Sequence, residues 1–388
     1  MNHVFYFHID LVYLFVNAVM LITFCVCGRN VSNNKSYIGN AFLCALIYSL
    51  CLGLRYGRGF DYFHYIDIYN YNLEETQVVF TQFNNFLKYI GVGEHYIFVV
   101  YNFIEMACSM VFLYPFRKYA YWVFPLFMMA TRHLNEYTIR QGFAFSFVFL
   151  LLFFFFKYFN HLKKILKNVK FLLLFGTCLF VAYGIHSVAI ITILWIISFA
   201  IFIKKPLPYL WTIIAFVLAS YIFQNMFDFS VANNLLSFMA SQDEKFSYYV
   251  ENSDKWFTAD SAADRYTRNP VVKIAETLGN ISLFYWGYKV IVMRFSENRQ
   301  VITLYNVFVT GSIFQKFFMN FEIINRVSST GSLFWCIPLA LVLHYRSDFR
   351  KSKYKILLYF LIWWSYEYLK YLFMCGDMCK FLWDTPYF

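Results

Sequence analysis

Two stretches constrain this chain more than anything else in it. Leu11–Gly28 and Leu207–Phe227 contain no charged residue, and each approaches the ~20 apolar residues that carry a helix across a bilayer. Similar runs fall near residues 4–27, 37–54, 95–116, 119–135, 139–156, 171–185, 187–203, 207–228, 271–293, 301–320, 327–345 and 355–374. In hydrocarbon every backbone amide and carbonyl must find a partner within the protein, which leaves helices or closed barrels. These runs show no two-residue alternation. The expected fold is therefore all-α, a polytopic transmembrane helical bundle of about twelve helices, within roughly ten to thirteen. The short runs flanking Arg140 and His186 could instead be re-entrant. Composition agrees, with 60% hydrophobic and 14% charged residues, against about 45–50% and 25% in soluble domains.

The net charge of +11 is distributed as topology rather than as a patch. Basic residues sit in short loops, such as Arg29 with Lys35, Arg117 with Lys118, and Lys204 with Lys205. Most acids fall in the alternate loops, including Asp61, Asp67, Glu136, Asp243 and Glu322. Basic short loops stay in the cytoplasm. That rule turns both termini to the external, periplasmic side of an inner (plasma) membrane and argues against a nucleic-acid partner. The expected organisation is a single integral membrane domain over residues 1–388. It carries an external loop at 55–94 and one large external loop at 229–270. The N-terminus shows no basic region before its first apolar run, so a retained first helix is expected rather than a cleaved signal. Most cysteines lie in apolar runs as small buried hydrophobes. Cys375 and Cys379 are one helical turn apart, a poor disulfide geometry. No His or Cys spacing suits a metal, and no nucleotide loop appears, so neither metal nor cofactor is expected.

The chemistry gathers at one membrane face. After the second run comes Arg55-Tyr56-Gly57-Arg58-Gly59-Phe60-Asp61-Tyr62, with His64 and Tyr65 following. Its glycines permit tight turns and close ligand approach, and arginine's planar fork suits phosphate. Snorkelling arginines with anchoring tyrosines would account for the same residues. Next comes Arg132-His133-Leu134-Asn135-Glu136, and Arg140-Gln141-Gly142 leads into an uncharged helix, where an ionisable group is costly unless solvated or partnered. His186-Ser187 interrupts another apolar stretch; helix–helix hydrogen bonding would also explain that histidine. Arg326 follows Glu322 at helical spacing, which equally suits a salt bridge. The loop topology places Arg55, Asp61, Arg140, His186 and Arg326 at the same external interface.

At these residues the chain resembles the EpsG family of membrane polysaccharide polymerases, relatives of the Wzy O-antigen polymerases. Arg55, Tyr56, Gly59, Asp61, Tyr62 and Tyr65 follow that family's Arg-Tyr-x-x-Gly-x-Asp-Tyr-x-x-Tyr pattern. Arg140, Gln141, Gly142 and Ala144 partly match an Arg-Gln-Gly-x-Ala element. His186-Ser187, Arg326 and the closing Pro386-Tyr387 match in order. Arg58 and Phe60 depart from the pattern, standing where the family has smaller residues. The resemblance implies a GT-C-like bundle that polymerises undecaprenyl-diphosphate-linked oligosaccharide repeat units into O-antigen, capsule or exopolysaccharide. Donor and acceptor would both be lipid-linked in the bilayer, with a chain-length regulator as a further partner. Arg55 and Arg140 would hold the diphosphate, with Arg326 a third clamp, while Asp61 or His186 would orient or deprotonate the acceptor. Tyr62 and Tyr65 would pack on sugar or prenyl chain, and Arg58, Gly59, Gln141 and Ser187 would complete the binding set. A lipid-linked oligosaccharide flippase, or another membrane glycosyl- or acyltransferase, remains the alternative.

Overall fold

The computed structural model describes residues 7–59, 61–71, 77–159, 169–223, 237, 270–319, 322–349, 351–373 and 380–387. The large loop expected at 229–270 and the Cys375/Cys379 pair lie almost wholly outside them. The described residues are helical, apart from one isolated bridge between Arg55 and Phe381. Each of the twelve apolar runs overlaps a helix. They are α1 (Phe7–Ser32), α2 (Tyr37–Gly53), α5 (Ile97–Leu113), α6 (Ala120–Tyr137), α7 (Ile139–Tyr158), α8 (Val169–Ile185) and α9 (Val188–Phe202). The series continues with α10 (Tyr209–Tyr221), α11 (Pro270–Arg294), α12 (Arg299–Phe317), α13 (Glu322–Ser332) with α14 (Cys336–His344), and α15 (Lys353–Phe373).

Among the described residues, four helical stretches are long and apolar enough to cross a membrane: Leu11–Ser32, Ile97–Tyr137, Ile139–Tyr158 and Asn325–His344. The second is α5 and α6 joined by the 3-10 turn Tyr114–Tyr119. Phe112 and Phe127 lie on opposite sides of that turn, yet their ring centroids are 6.5 Å apart. A straight helix would separate residues fifteen apart by about 22 Å. The chain therefore doubles back at Pro115–Lys118.

The stretch 55–94, expected as a loop, holds two further helices, α3 (Tyr62–Tyr71) and α4 (Val78–Tyr89). Both are amphipathic rather than uniformly apolar, so a search for long uncharged runs passes over them. Along α3 the buried residues are Tyr62, Tyr65, Ile66, Ile68 and Tyr69, and along α4 they are Phe80, Asn84 and Leu87. These spacings trace one helical stripe each.

Residues cluster into two compact units, Met1–Leu194 with Leu343–Phe388, and Trp195–Val342. In the first, α2 packs on α5, α5 on α7, α1 on α6 and α7 on α8. In the second, α10 packs on α11 and α12, and α12 on α13. There Arg299 donates to the Ile203 and Ile201 carbonyls at 3.2 and 3.1 Å, closing the end of α9. Asn306 accepts from the Leu207 amide at 2.8 Å and donates to the Lys205 carbonyl at 3.0 Å, which fixes the turn before α10.

The α2–α5 contact depends on Gly53, where a methyl group would collide with the backbone of Val99. Overpacking of this kind costs about 1–3 kcal/mol. Gly53→Ala is expected to lower the melting temperature of the detergent-solubilised protein. Gly176→Ala, on α8 with open space around it, should leave it unchanged or raise it.

Candidate functional site

The last carbonyls of α2 have no helical amide to receive. Arg55 stands two residues beyond α2 and directs its guanidinium back onto them. It donates to the Leu52 carbonyl, to the Arg58 carbonyl at 3.0 Å and to the Asn135 carbonyl at 3.0 Å. Asn135 belongs to the last turn of α6, so one side chain ties together α2, α6 and the motif loop. Arg55 is fully buried, with its guanidinium carbon 5.1 Å from the Phe98 ring centre and 5.9 Å from that of Tyr62.

A second buried cluster lies beside it. Arg58 Nε is 3.1 Å from one oxygen of Glu136, and Arg132 Nε is 3.4 Å from the other. All three side chains are excluded from solvent. Two cations thus share one carboxylate, and aromatic faces pack on both guanidiniums. Tyr13 of α1 has its ring centre 4.4 Å from the Arg58 guanidinium carbon and 5.6 Å from that of Arg132, and its hydroxyl accepts from Arg132. Phe381 lies 5.5 Å from Arg58 and Tyr368 lies 5.4 Å from Arg132. Gly59 lets the loop reach this cluster: its φ is +107°, and a methyl group there would strike the Glu136 carbonyl. Only glycine meets both demands without strain.

The segment 380–387 lies along the motif as a strap. The Tyr56 amide donates to the Lys380 carbonyl at 3.0 Å, and the Leu382 amide to the Leu54 carbonyl at 2.8 Å. Tyr387, beside Pro386, stacks on Tyr56 at 5.9 Å and sits 4.5 Å from the His95 ring. His95 in turn has Nδ1 2.9 Å from the Tyr62 hydroxyl and Nε2 3.4 Å from Glu94. Burial pushes the Tyr62 phenol above its ordinary range, so its hydroxyl stays protonated and donates. A neutral imidazole with its proton on Nε2 satisfies both contacts.

The remaining candidates of this unit are less enclosed. Asp61 is half-buried just before α3, its carbonyl accepting from the Tyr65 amide at 3.0 Å. Tyr65 is buried against Phe80, ring centres 5.9 Å apart. Arg140, half-buried in the first turn of α7, has its guanidinium carbon 5.9 Å from the centre of that same Phe80 ring. Gly184 presses against the neighbouring Val79, which brings the α8–α9 turn to the same place. In that turn the partly exposed His186 accepts from the Val188 amide at 3.2 Å through Nδ1 and so caps α9. Tyr65, Arg140 and the His186 turn thus meet around Val79–Phe80, at the start of α4. Gln141 is buried and Ser187 exposed. Arg326 belongs to the second unit, on α13 and partly exposed, and the side chain of Glu322 lies outside the described residues. Among the described residues no cluster of His, Cys, Asp and Glu could hold a metal.

A family model described as the EpsG family matches residues 40–377. The chain belongs to the EpsG family. No curated protein and no solved structure matches it. Membership makes it an EpsG-family polysaccharide polymerase, and its apolar helices make it an integral membrane protein. The match takes in every candidate residue from Arg55 to Arg326 but ends before the strap at 380–387.

Several site-building residues carry weak sequence signals. Arg132 and Glu136 could have been found as an i,i+4 charged pair at the end of an apolar helix. Tyr13, His95 and Phe381 gave no local signal, because each acts across a long sequence separation.

Two outcomes follow from this geometry. Glu136→Ala removes the carboxylate shared by two buried guanidiniums and should cost about 3–5 kcal/mol, read as a lower melting temperature in detergent than that of the surface variant Arg117→Ala. For His95, burial pulls the pKa below its ordinary 6.5, with Glu94 opposing. The unfolded chain then takes up the proton first. The neutral ring's contribution is full above about pH 6.5 and declines as pH falls towards the depressed folded value. The melting temperature should drop as pH falls below about 6.5, and His95→Gln should flatten that dependence.

Proposed function

We propose that this EpsG-family protein joins oligosaccharide repeat units carried on undecaprenyl diphosphate into a bacterial surface polysaccharide, at the outer face of the inner membrane. The acceptor hydroxyl oxygen attacks the anomeric carbon of the donor chain. The bond from that carbon to the diphosphate oxygen breaks, undecaprenyl diphosphate departs, and the hydroxyl proton passes to a base. The donor is already activated, so no nucleotide is needed. Twelve crossings with both termini external would set this chemistry on the side opposite the basic loops.

The observation that carries the reading is the convergence of Arg140 and the His186 turn on the start of α4, in a chain matched to the family over residues 40–377. A departing diphosphate needs fixed positive charge in a site of low dielectric. Arg140, partly exposed, would supply it. Asp61 and His186, also partly exposed, are the groups able to accept or orient the acceptor proton. Arg55, Arg58, Gly59 and Tyr62 would act through the loop they hold in shape, with Tyr65 and Gln141 supporting Arg140. Ser187, exposed in the same turn, would contact sugar. Arg326 would bind phosphate within its own unit.

The test is the surface-polymer ladder of a deletion strain complemented with variants. Arg140→Ala should reduce long polymer to a single surface-attached repeat unit, since removal of one positioned charge-stabilising donor costs about 10²–10³ in rate. Arg140→Lys should recover part of the ladder. Full-length polymer from Arg140→Ala at wild-type protein levels would remove the diphosphate clamp from the mechanism. Loss of even the single repeat unit in the deletion strain would favour a flippase.

A further inference from the structure

A second feature of the first unit lies at the basic-loop end, away from the first motif. A cavity of about 330 Å³ opens between α2 and α5, at the low end of the roughly 300–1,000 Å³ typical of small-ligand sites. Its floor is cut by small residues, Ala41 and Ala45 on α2 and Ala107 on α5. Ile38 and Phe42 form an outer wall, 81% and 57% exposed, so the groove is open along its side. From Phe103 to Tyr114 the α5 wall runs eleven residues, about 16 Å of helix. The lining is apolar throughout, and the Tyr37 hydroxyl, the polar group nearest its end, is already bonded to the Met110 carbonyl at 2.5 Å. Such a slot suits a hydrocarbon chain.

What selects the occupant is the end of the slot. Tyr114 lines it, and the Arg117 guanidinium carbon lies 4.6 Å from the Tyr114 ring centre. Lys118 follows Arg117, and Lys35 stands two residues before the lining residue Tyr37. Arg117, Lys118 and Lys35 are exposed, and none makes an ion pair among the described residues. Arg117 at the end of an apolar slot, with Lys118 and Lys35 close by in sequence, complements a lipid with a negative headgroup.

We infer that this groove is a specific site for an anionic phospholipid, one acyl chain lying along Ala41, Ala45 and Ala107 and the phosphate held by Arg117 with Lys118 and Lys35. The tyrosine pair Tyr37 and Tyr114, edge to face at 5.0 Å, stands at the boundary between chain and headgroup, where amphipathic rings belong. The site lies on the opposite end of the helices from the external motifs, so the lipid is a resident of the protein and not its substrate.

Native mass spectrometry of the full-length protein in detergent tests this, with dioleoyl phosphatidylglycerol and dioleoyl phosphatidylcholine as probes. The wild type should retain one phosphatidylglycerol at least about fivefold more strongly than phosphatidylcholine, the effect of about one basic residue near an anionic headgroup. R117Q/K118Q, confined to exposed residues, should erase that preference in protein that stays monodisperse. Ala107→Phe should reduce retention of both lipids. Equal retention of the two lipids by the wild type, an unchanged preference in R117Q/K118Q, or displacement of phosphatidylglycerol by equimolar undecaprenyl phosphate would overturn the assignment. Polymer formation is not read, so the outcome stands apart from that of the proposed polymerase activity.

Discussion

Everything around the first motif depends on how the ends of α2 and α6 are satisfied inside a poorly hydrated interior. Helix ends expose carbonyls, and an apolar surrounding makes those carbonyls expensive to leave bare. Arg55 answers for both helices at once, with donors to Leu52, Arg58 and Asn135. A lysine could not do this, because a single ammonium cannot span three acceptors in a fixed plane. The same logic extends one layer out, where Arg58 and Arg132 hold Glu136 and lean on Tyr13, Phe381 and Tyr368. Buried charge is tolerated there because each cation has a carboxylate oxygen and an aromatic face.

This arrangement separates two kinds of polar side chain that sit close together in the chain. Arg55, Arg58 and Tyr62 are enclosed and engaged with protein atoms. Asp61, Arg140 and His186 keep partial access to solvent, and Arg140 and the turn that carries His186 come together at the start of α4. A motif can therefore hold a solvent-accessible polar group and a fully enclosed one within a few residues. Asp61 lies three residues beyond Arg58, yet one is half-buried and the other fully enclosed.

The bundle was legible because lipid imposes a simple rule on sequence: long runs without charge. Each run that the rule picked out overlaps a helix among the described residues, and the rule passed over α3 and α4 because an amphipathic helix needs only one apolar stripe. The site was legible in part. Arg55, Gly59, Arg140 and His186 stand out as charge or glycine against an apolar background. Their burial does not, since Arg55 and Arg140 look alike in sequence and differ only through what the rest of the chain packs on them. Tyr13 and Phe381 could not be read at all, because their task is defined by partners near the other end of the chain.

That last point bears on biogenesis. The pocket around Arg58 takes one wall from α1 and another from the strap that follows α15, so it closes only once Tyr13 and Phe381 are both in place. During insertion the first motif leaves the ribosome early and waits, its cationic loop still without Phe381 and Tyr387. A chain stalled before the strap would carry the motif but not its enclosure.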